Sequence, residues 1–181
     1  MPNYCNYAMR VKGSHEAIDE MEKRLTDYDH TPHFWRVFEA DRTDDVAPAG
    51  DGADMVTEFN GYCAWSVHTC MNEGPASYAT DFADQGKSTS LAKTAKDLGL
   101  EIEVFSEEPG IGFAEHYLYL NDGTAIEDET EFEEVWWDRD EYETFADLDA
   151  EYGLTARGIT EEKFGDEDYV SIGGYEWDWA F

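Results

Sequence analysis

The chain has 181 residues, enough for one good hydrophobic core with a small appendage. Hydrophobic residues make up 41% of it and aromatics 15%, too much large apolar surface for a disordered acidic chain. Its 43 Asp and Glu against 12 Lys and Arg give a formal net charge of -31, which repels nucleic acid and anionic membranes and attracts cationic partners.

The opening Met1-Pro2-Asn3-Tyr4-Cys5 reads directly into a strand with no secretory leader, so a reducing, cytoplasmic setting is expected. No apolar run approaches the length of a membrane span. Cys5, Tyr7, Met9 and Val11 alternate, which predicts a half-buried strand near 4–12. Gly13-Ser14 breaks it and offers a cap, and Ile18, Met21, Leu25 and Tyr28 follow at helical spacing, predicting a helix over 14–28. A short strand is expected at 34–39, then a Gly-, Ala- and Asp-rich loop over 40–54. Phe59, Gly61, Cys63, Trp65 and Val67 alternate as a strand over 59–69, followed by a polar loop at 71–87. Ser88-Thr89-Ser90, then Leu91, Ala95 and Leu98 before Gly99, predict a short capped helix over 88–98.

Strands are expected at 100–107 and 113–120 around the turn Glu107-Glu108-Pro109-Gly110-Ile111-Gly112. Asn121-Asp122-Gly123 is a second hairpin signal, leading into an acidic strand at 124–137. From about Asp140 the residues Tyr142, Phe145, Leu148 and Tyr152 resume helical spacing until Gly153. Tyr175, Trp177, Trp179 and Phe181 alternate as a final strand. The order β-α-β-β-α-β is the split βαβ, ferredoxin-like signature. The expected fold is therefore α+β: an antiparallel sheet with helices on one face, plus extra C-terminal hairpin strands and a third helix. It is read as a single domain, 1–181, in which 1–120 is the core and 121–181 an acidic extension packed on it.

Candidate chemistry is thin. Gly110-x-Gly112 opens a strand beside Glu107 and Glu108, whereas a phosphate loop opens a helix and keeps anions away. Cys63, His68 and Cys70, with His30 and His33, lack the short ligand spacings of a structural zinc site; Cys5, Cys63 and Cys70 read as buried thiols. Glu107, Glu108 and Glu115 can meet across the hairpin, but with 43 acids such neighbours arise by chance. No serine elbow, Cys–His nucleophile signature or dinucleotide fingerprint is present. No catalytic residue, cofactor or metal is expected, and the chain is read as non-enzymatic.

The informative segment is acidic. Residues 1–100 carry 17 acids and 9 bases, whereas residues 101–181 carry 26 acids and 3 bases. Uniform salt adaptation spreads acids evenly, so this asymmetry predicts a directed face. The candidate partner-binding residues are Glu127, Asp128, Glu129, Glu131, Glu133, Glu134, Asp138, Asp140, Glu141 and Glu143, with Trp136 and Trp137 as apolar anchors where they are exposed. Burial against the third helix is the competing expectation for at least one of these tryptophans. Duplex DNA carries one charge per ~1.7 Å, so a charge of -31 corresponds to roughly 53 Å of duplex, against a radius of gyration of roughly 16 Å for a domain of this size.

Several pieces resemble the YubB-like proteins of phages and plasmids, which have a ferredoxin-like domain. Met1-Pro2-Asn3-Tyr4-Cys5 is similar to the family's Met-Pro-Asn-Trp-Cys opening, and Ala64-Trp65-Ser66 is similar to its middle strand. Glu108-Pro109-Gly110-Ile111-Gly112-Phe113-Ala114-Glu115 resembles its Glu-Pro-Gly-Met-Gly-Phe-Ala-Gly hairpin. The resemblance covers residues 1–152 in broken pieces, and departs from the family where Tyr4 replaces Trp and where Val67 and His68 replace prolines. It implies a mobile-element setting; the family has no established activity, so it carries over no catalytic residues. By analogy with small acidic proteins of that setting, the expected function is an anti-CRISPR or anti-restriction inhibitor acting as a DNA mimic in the host cytoplasm. Its partner would be the cationic DNA-binding groove of a host defence protein or complex, with no binding to nucleic acid or membrane. The alternatives are an acidic accessory module shaped by salt adaptation or cation binding, and a hydrolase whose site the sequence conceals.

Overall fold

The computed structural model describes residues 3–43, 54–73, 87–164 and 169–181. The strands are β1 (Tyr4–Gly13), β2 (Val37–Arg42), β3 (Met55–Ala64), β4 (Glu101–Glu108), β5 (Phe113–Tyr119), β6 (Ala125–Trp136) and β7 (Tyr169–Gly173). The helices are α1 (His15–Thr26), α2 (Leu91–Leu98) and α3 (Phe145–Tyr152). The fold is α+β. Its strands form one seven-stranded sheet in the order β2-β3-β1-β4-β5-β6-β7, every neighbouring pair antiparallel.

Local sequence explains most of these boundaries. Ser14 caps α1 by accepting the Ala17 amide at 3.3 Å, and Ser90 caps α2 through the Lys93 amide at 3.1 Å. Gly99 ends α2 in the left-handed region at φ 66°. Ile18, Met21 and Leu25 of α1, with Leu91 and Ala95 of α2, meet Cys5, Met9, Val11, Ile102 and Val104 in one core on one face of the sheet. Gly61 is required where β2 pairs with β3, because a Cβ there would lie 1.9 Å from the Glu39 carbonyl oxygen. Tyr28 is not part of the α1 stripe: the helix stops at Asp27, and Tyr28 is 53% exposed with its hydroxyl donating to the Val37 carbonyl.

β3 starts and ends earlier than the alternation over 59–69 predicts, running from Met55 to Ala64. It ends at Ala64, Trp65 turns the chain at φ 65°, and a π-helical turn follows over His68–Glu73. The cause lies on β5, where the buried Glu115 carboxylate accepts the amides of Val67 at 2.8 Å and His68 at 3.0 Å. The expected early start of the third helix is also corrected. Thr144 and Asp147 form a capping box that starts α3 at Phe145, with the Asp138–Tyr142 turn before it. Most of the loops expected over 40–54 and 71–87 lies outside the described residues.

The C-terminal segment is not a strand. Beyond Gly174 it runs as an extended strap across the sheet face opposite the helices, without ladder pairing. Trp177 stacks parallel to Phe105, Trp179 meets the same ring edge-on at 5.0 Å, and the Arg10 guanidinium lies 4.6 Å over Trp179. The Ala180 amide donates to Glu103 at 2.6 Å, and Glu103 in turn pairs with His116 at 2.9 Å. A second core of Val135, Trp137, Tyr142, Leu148, Leu154, Ile159, Phe164 and Ile172 holds the end of β6 against α3 and β7.

Candidate acidic partner-binding surface

β6 carries the acids because both of its ends are fixed. At the start, the Leu120 amide donates to the Thr124 carbonyl and Asp122 accepts the Thr124 amide, closing a turn with Gly123 at φ 92°. At the far end, Val135 and Trp137 enter the second core. Between them the register with β5 is unbroken from Tyr119↔Ala125 to Phe113↔Glu131.

Glu127, Glu129, Glu131 and Glu133 are all exposed and alternate along the strand. Glu127 lies opposite Tyr117, and Tyr119 donates its hydroxyl to Glu127 at 2.7 Å, so this row faces the helix side of the sheet. Asp128 is exposed on the other side, beside Tyr175, whose hydroxyl is pushed up to about 12 by burial and then by the Asp128 carboxylate. Glu134 is half-buried. Burial first, and then the Glu134 carboxylate, raise the carboxyl of Glu107 above its ordinary value. Asp138, Asp140, Glu141 and Glu143 are exposed in the turn after β6, where Asp138 accepts the Asp140 amide at 2.9 Å.

Successive strand residues rise ~3.3 Å, so the six acids from Glu127 to Glu134 span roughly 23 Å, one per ~3.9 Å. A single DNA strand carries one charge per ~3.4 Å. The ridge therefore approaches the linear charge density of one strand.

The two tryptophans separate. Trp136 is 56% exposed and stacks on Tyr169 at 4.6 Å, on the sheet face opposite the Glu127–Glu133 row. Trp137 is only 4% exposed, donates to the Tyr142 carbonyl at 2.9 Å and packs on Phe145 and Phe164. Trp137 is therefore removed from the candidate anchors, because the second core needs it.

Two of the hairpin carboxylates serve as hydrogen-bond acceptors inside the fold. Glu115 is fully buried and accepts from Ser106 Oγ at 2.8 Å, Tyr117 Oη at 3.1 Å and Cys5 Sγ at 3.9 Å, besides the two amides that end β3. Glu108 closes the hairpin by accepting the Ile111 amide. Sequence reasoning missed both roles; the only signal was an acid at inward-facing positions of strands.

Cys5 lies opposite Cys63 in the β1–β3 ladder, and all three cysteines are buried and free. Hydrogen bonds to Cys5 and Cys70, and then burial, push the Cys63 thiol up, which keeps it protonated. Among the described residues no three His, Cys, Asp or Glu side chains are grouped to hold a metal ion. An open cleft of about 530 Å³ lies between the hairpin tip at Ile111 and β6–β7, lined by Glu131, Glu133, Glu134 and Arg157. No described helix is long and apolar enough to cross a membrane.

No family model, curated protein or solved structure matches the chain.

Proposed function

We propose that this protein is a non-enzymatic, DNA-mimicking inhibitor that occupies a cationic nucleic-acid-binding surface of a partner, an anti-CRISPR or anti-restriction factor of a mobile element. The observation that carries the reading is the exposed row of Glu127, Glu129, Glu131 and Glu133, with Asp128 on its other side and Asp138, Asp140, Glu141 and Glu143 at its end. Several acids among residues 1–100 are paired with neighbouring cations: Glu58 with Arg10, Glu20 with Arg24, Asp19 and Glu22 with Arg42, and Asp97 with Lys93. The β6 ridge sits in a half with 3 bases for 26 acids. Trp136 supplies an exposed ring at the end of the same strand, on its other face.

The finer fold assignment belongs to the same proposal. The order β2-β3-β1-β4, with α1 and α2 in one core, supports reading residues 1–120 as a ferredoxin-like split βαβ unit. The hairpin resemblance to YubB-like proteins supports the mobile-element setting.

The test is direct. Purified CRISPR and restriction effectors are assayed for DNA binding with and without this protein, at about 50 and 200 mM salt. The expected result is loss of DNA binding by at least one effector, relieved by salt and by excess short duplex. Reversing Glu127, Glu129, Glu131 and Glu133 to Lys changes the net charge by eight units. It should abolish that effect in a folded protein, because like charges across an interface cost several kcal/mol. Inhibition that survives the reversal would show that the ridge only solubilises the protein.

A further inference from the structure

Among the described residues, the outer edge of β6 is only half covered. β7 pairs with β6 from Phe132 to Trp136, and the Gly174 amide takes the Glu131 carbonyl at 2.7 Å. There Gly173 and Gly174, at φ 76° and 73°, turn the chain off the edge and onto the sheet face, where Gly174 lies against Ala114 and Phe132. No described residue pairs with the outer side of Ala125–Thr130.

The backbone groups on that side can be assigned. The Glu129 amide donates to its neighbour Asp128 Oδ1 at 3.0 Å, so it points away from β5, and the Glu131 carbonyl points the same way to Gly174. Peptide groups alternate along an antiparallel strand, so Glu127 and Glu129 present their N–H and C=O outward, while Asp128 and Thr130 bond to β5.

Exposed edges are usually blunted by lysine, proline or a bulge. The opposite edge follows that rule: β2 has a register shift between Val37 and Glu39. The segment Ala125–Thr130 has no proline, no lysine and no register shift. Among the described residues its guard is negative charge, which repels a second copy of this chain and leaves the edge open to a positively charged segment.

Resting on the reading of β6 as a surface for a cationic partner, the geometry points to the way that partner binds: an extended basic segment adds as a strand along Ala125–Thr130. Its outward amides and carbonyls would complete the ladder with Glu127 and Glu129. Its Lys or Arg side chains at alternate positions would face Glu127, Glu129 and Glu131, since cross-strand neighbours share a face. On the other face small or apolar residues would meet Ile126, which is 37% exposed, and Thr130.

The test uses the full chain and two synthetic probes, Lys-Val-Lys-Thr-Lys-Val-Lys in all-L form and the same sequence with alternating L and D residues. Both carry the same charge, and only the first forms a regular strand. The all-L probe should bind roughly tenfold more tightly, and should slow hydrogen exchange of the Glu127 and Glu129 amides, which face no described strand. Glu129→Pro removes one outward donor together with one charge, at an edge position that tolerates proline, so it should abolish the difference between probes and leave both binding about as weakly as the alternating probe binds the Glu129→Gln variant. Glu129→Gln should weaken both probes and keep the difference. Equal binding of the two probes with unchanged amide exchange overturns strand addition and leaves the electrostatic reading standing. Protection of β2 amides instead also overturns it. Failure of both probes to bind at about 50 mM salt overturns the electrostatic reading as well. If Glu129→Pro does not fold, the two-probe comparison on the unaltered chain still decides.

Discussion

Replacing Glu115 by glutamine keeps the volume of a fully buried side chain and changes one of its two acceptor atoms into a donor. Val67 N–H, Ser106 Oγ–H and Cys5 Sγ–H converge on Oε2, while His68 N–H and Tyr117 Oη–H converge on Oε1. The hydroxyls of Ser106 and Tyr117 can turn to accept from a new NH2 group; the amides cannot. Whichever way the carboxamide sits, one buried amide, Val67 or His68, loses its acceptor, at a cost of about 1–3 kcal/mol. The bonds that remain lose the strengthening given by a charged acceptor, about 1 kcal/mol more. Relief of the desolvated charge offsets part of this, which leaves a net loss of about 2–4 kcal/mol.

Such a loss is a large share of the 5–15 kcal/mol typical of a whole domain. In urea, with a slope of about 2 kcal/mol per molar, it moves the unfolding midpoint down by about 1–2 M. Glu115→Ala should cost more, because it adds a cavity, and Ser106→Ala less, at about 1 kcal/mol, because the carboxylate keeps four donors. The refuting result is a Glu115→Gln midpoint within about 0.25 M of the unaltered protein. The end of β3 would then need another explanation than this carboxylate.

Truncation after Gly174 should uncover Phe105, which is 2% exposed beneath the strap, and should lower stability by about 2–4 kcal/mol with new binding of a hydrophobic dye. A truncated chain as stable as the full one would mean that the strap adds nothing to folding. Trp137→Ala should cost about 3–5 kcal/mol, whereas Trp136→Ala should cost under about 1 kcal/mol and act only on partner binding; thermal melts and binding assays on the pair separate the two roles. Glu107 has a raised carboxyl in the fold, so its ionisation destabilises the protein as pH climbs from the ordinary carboxylate value through the raised one. Glu107→Gln should therefore be stabilising at pH 7, with the gain vanishing below about pH 4, as read from urea midpoints across that range.

What the sequence could convey depended on how local the cause was. The alternation of Cys5, Tyr7, Met9 and Val11 marked β1 because that row faces the helices, and Ser14, Ser90, Gly99 and Gly153 marked helix ends because caps act within one turn. β3 overran in the sequence reading because Trp65 and Val67 continue its alternation, and the group that ends it sits 48 residues beyond Val67. Tyr175, Trp177, Trp179 and Phe181 have the period of a strand, yet what holds them is the far face of the sheet: Phe105, His116, Arg10 and Lys12. The acids of β6 were legible as a group. Which of Trp136 and Trp137 turns inward was not, because Leu148, Leu154 and Phe164, distant in sequence, supply the core that takes it.

The same contacts explain why so charged a strand persists. Like charges at alternate positions lie ~6.6 Å apart, and in water each neighbouring pair repels by about 0.6 kcal/mol. The three pairs from Glu127 to Glu133 sum to about 2 kcal/mol, and less once salt screens them over a Debye length of ~8 Å. An isolated hairpin is marginal in water even without that burden. Here the paired register with β5, the closed turn at Gly123 and the burial of Val135 and Trp137 hold the strand straight. A neutral row would be as well held, so the fold tolerates the charge without requiring it. A cationic strand or groove laid along β6 would remove the repulsion on contact, and that relief would add to the attraction itself. Salt weakens both together, which is why the dependence of binding on ionic strength should be steeper than the folded protein's own dependence of stability on the same salt.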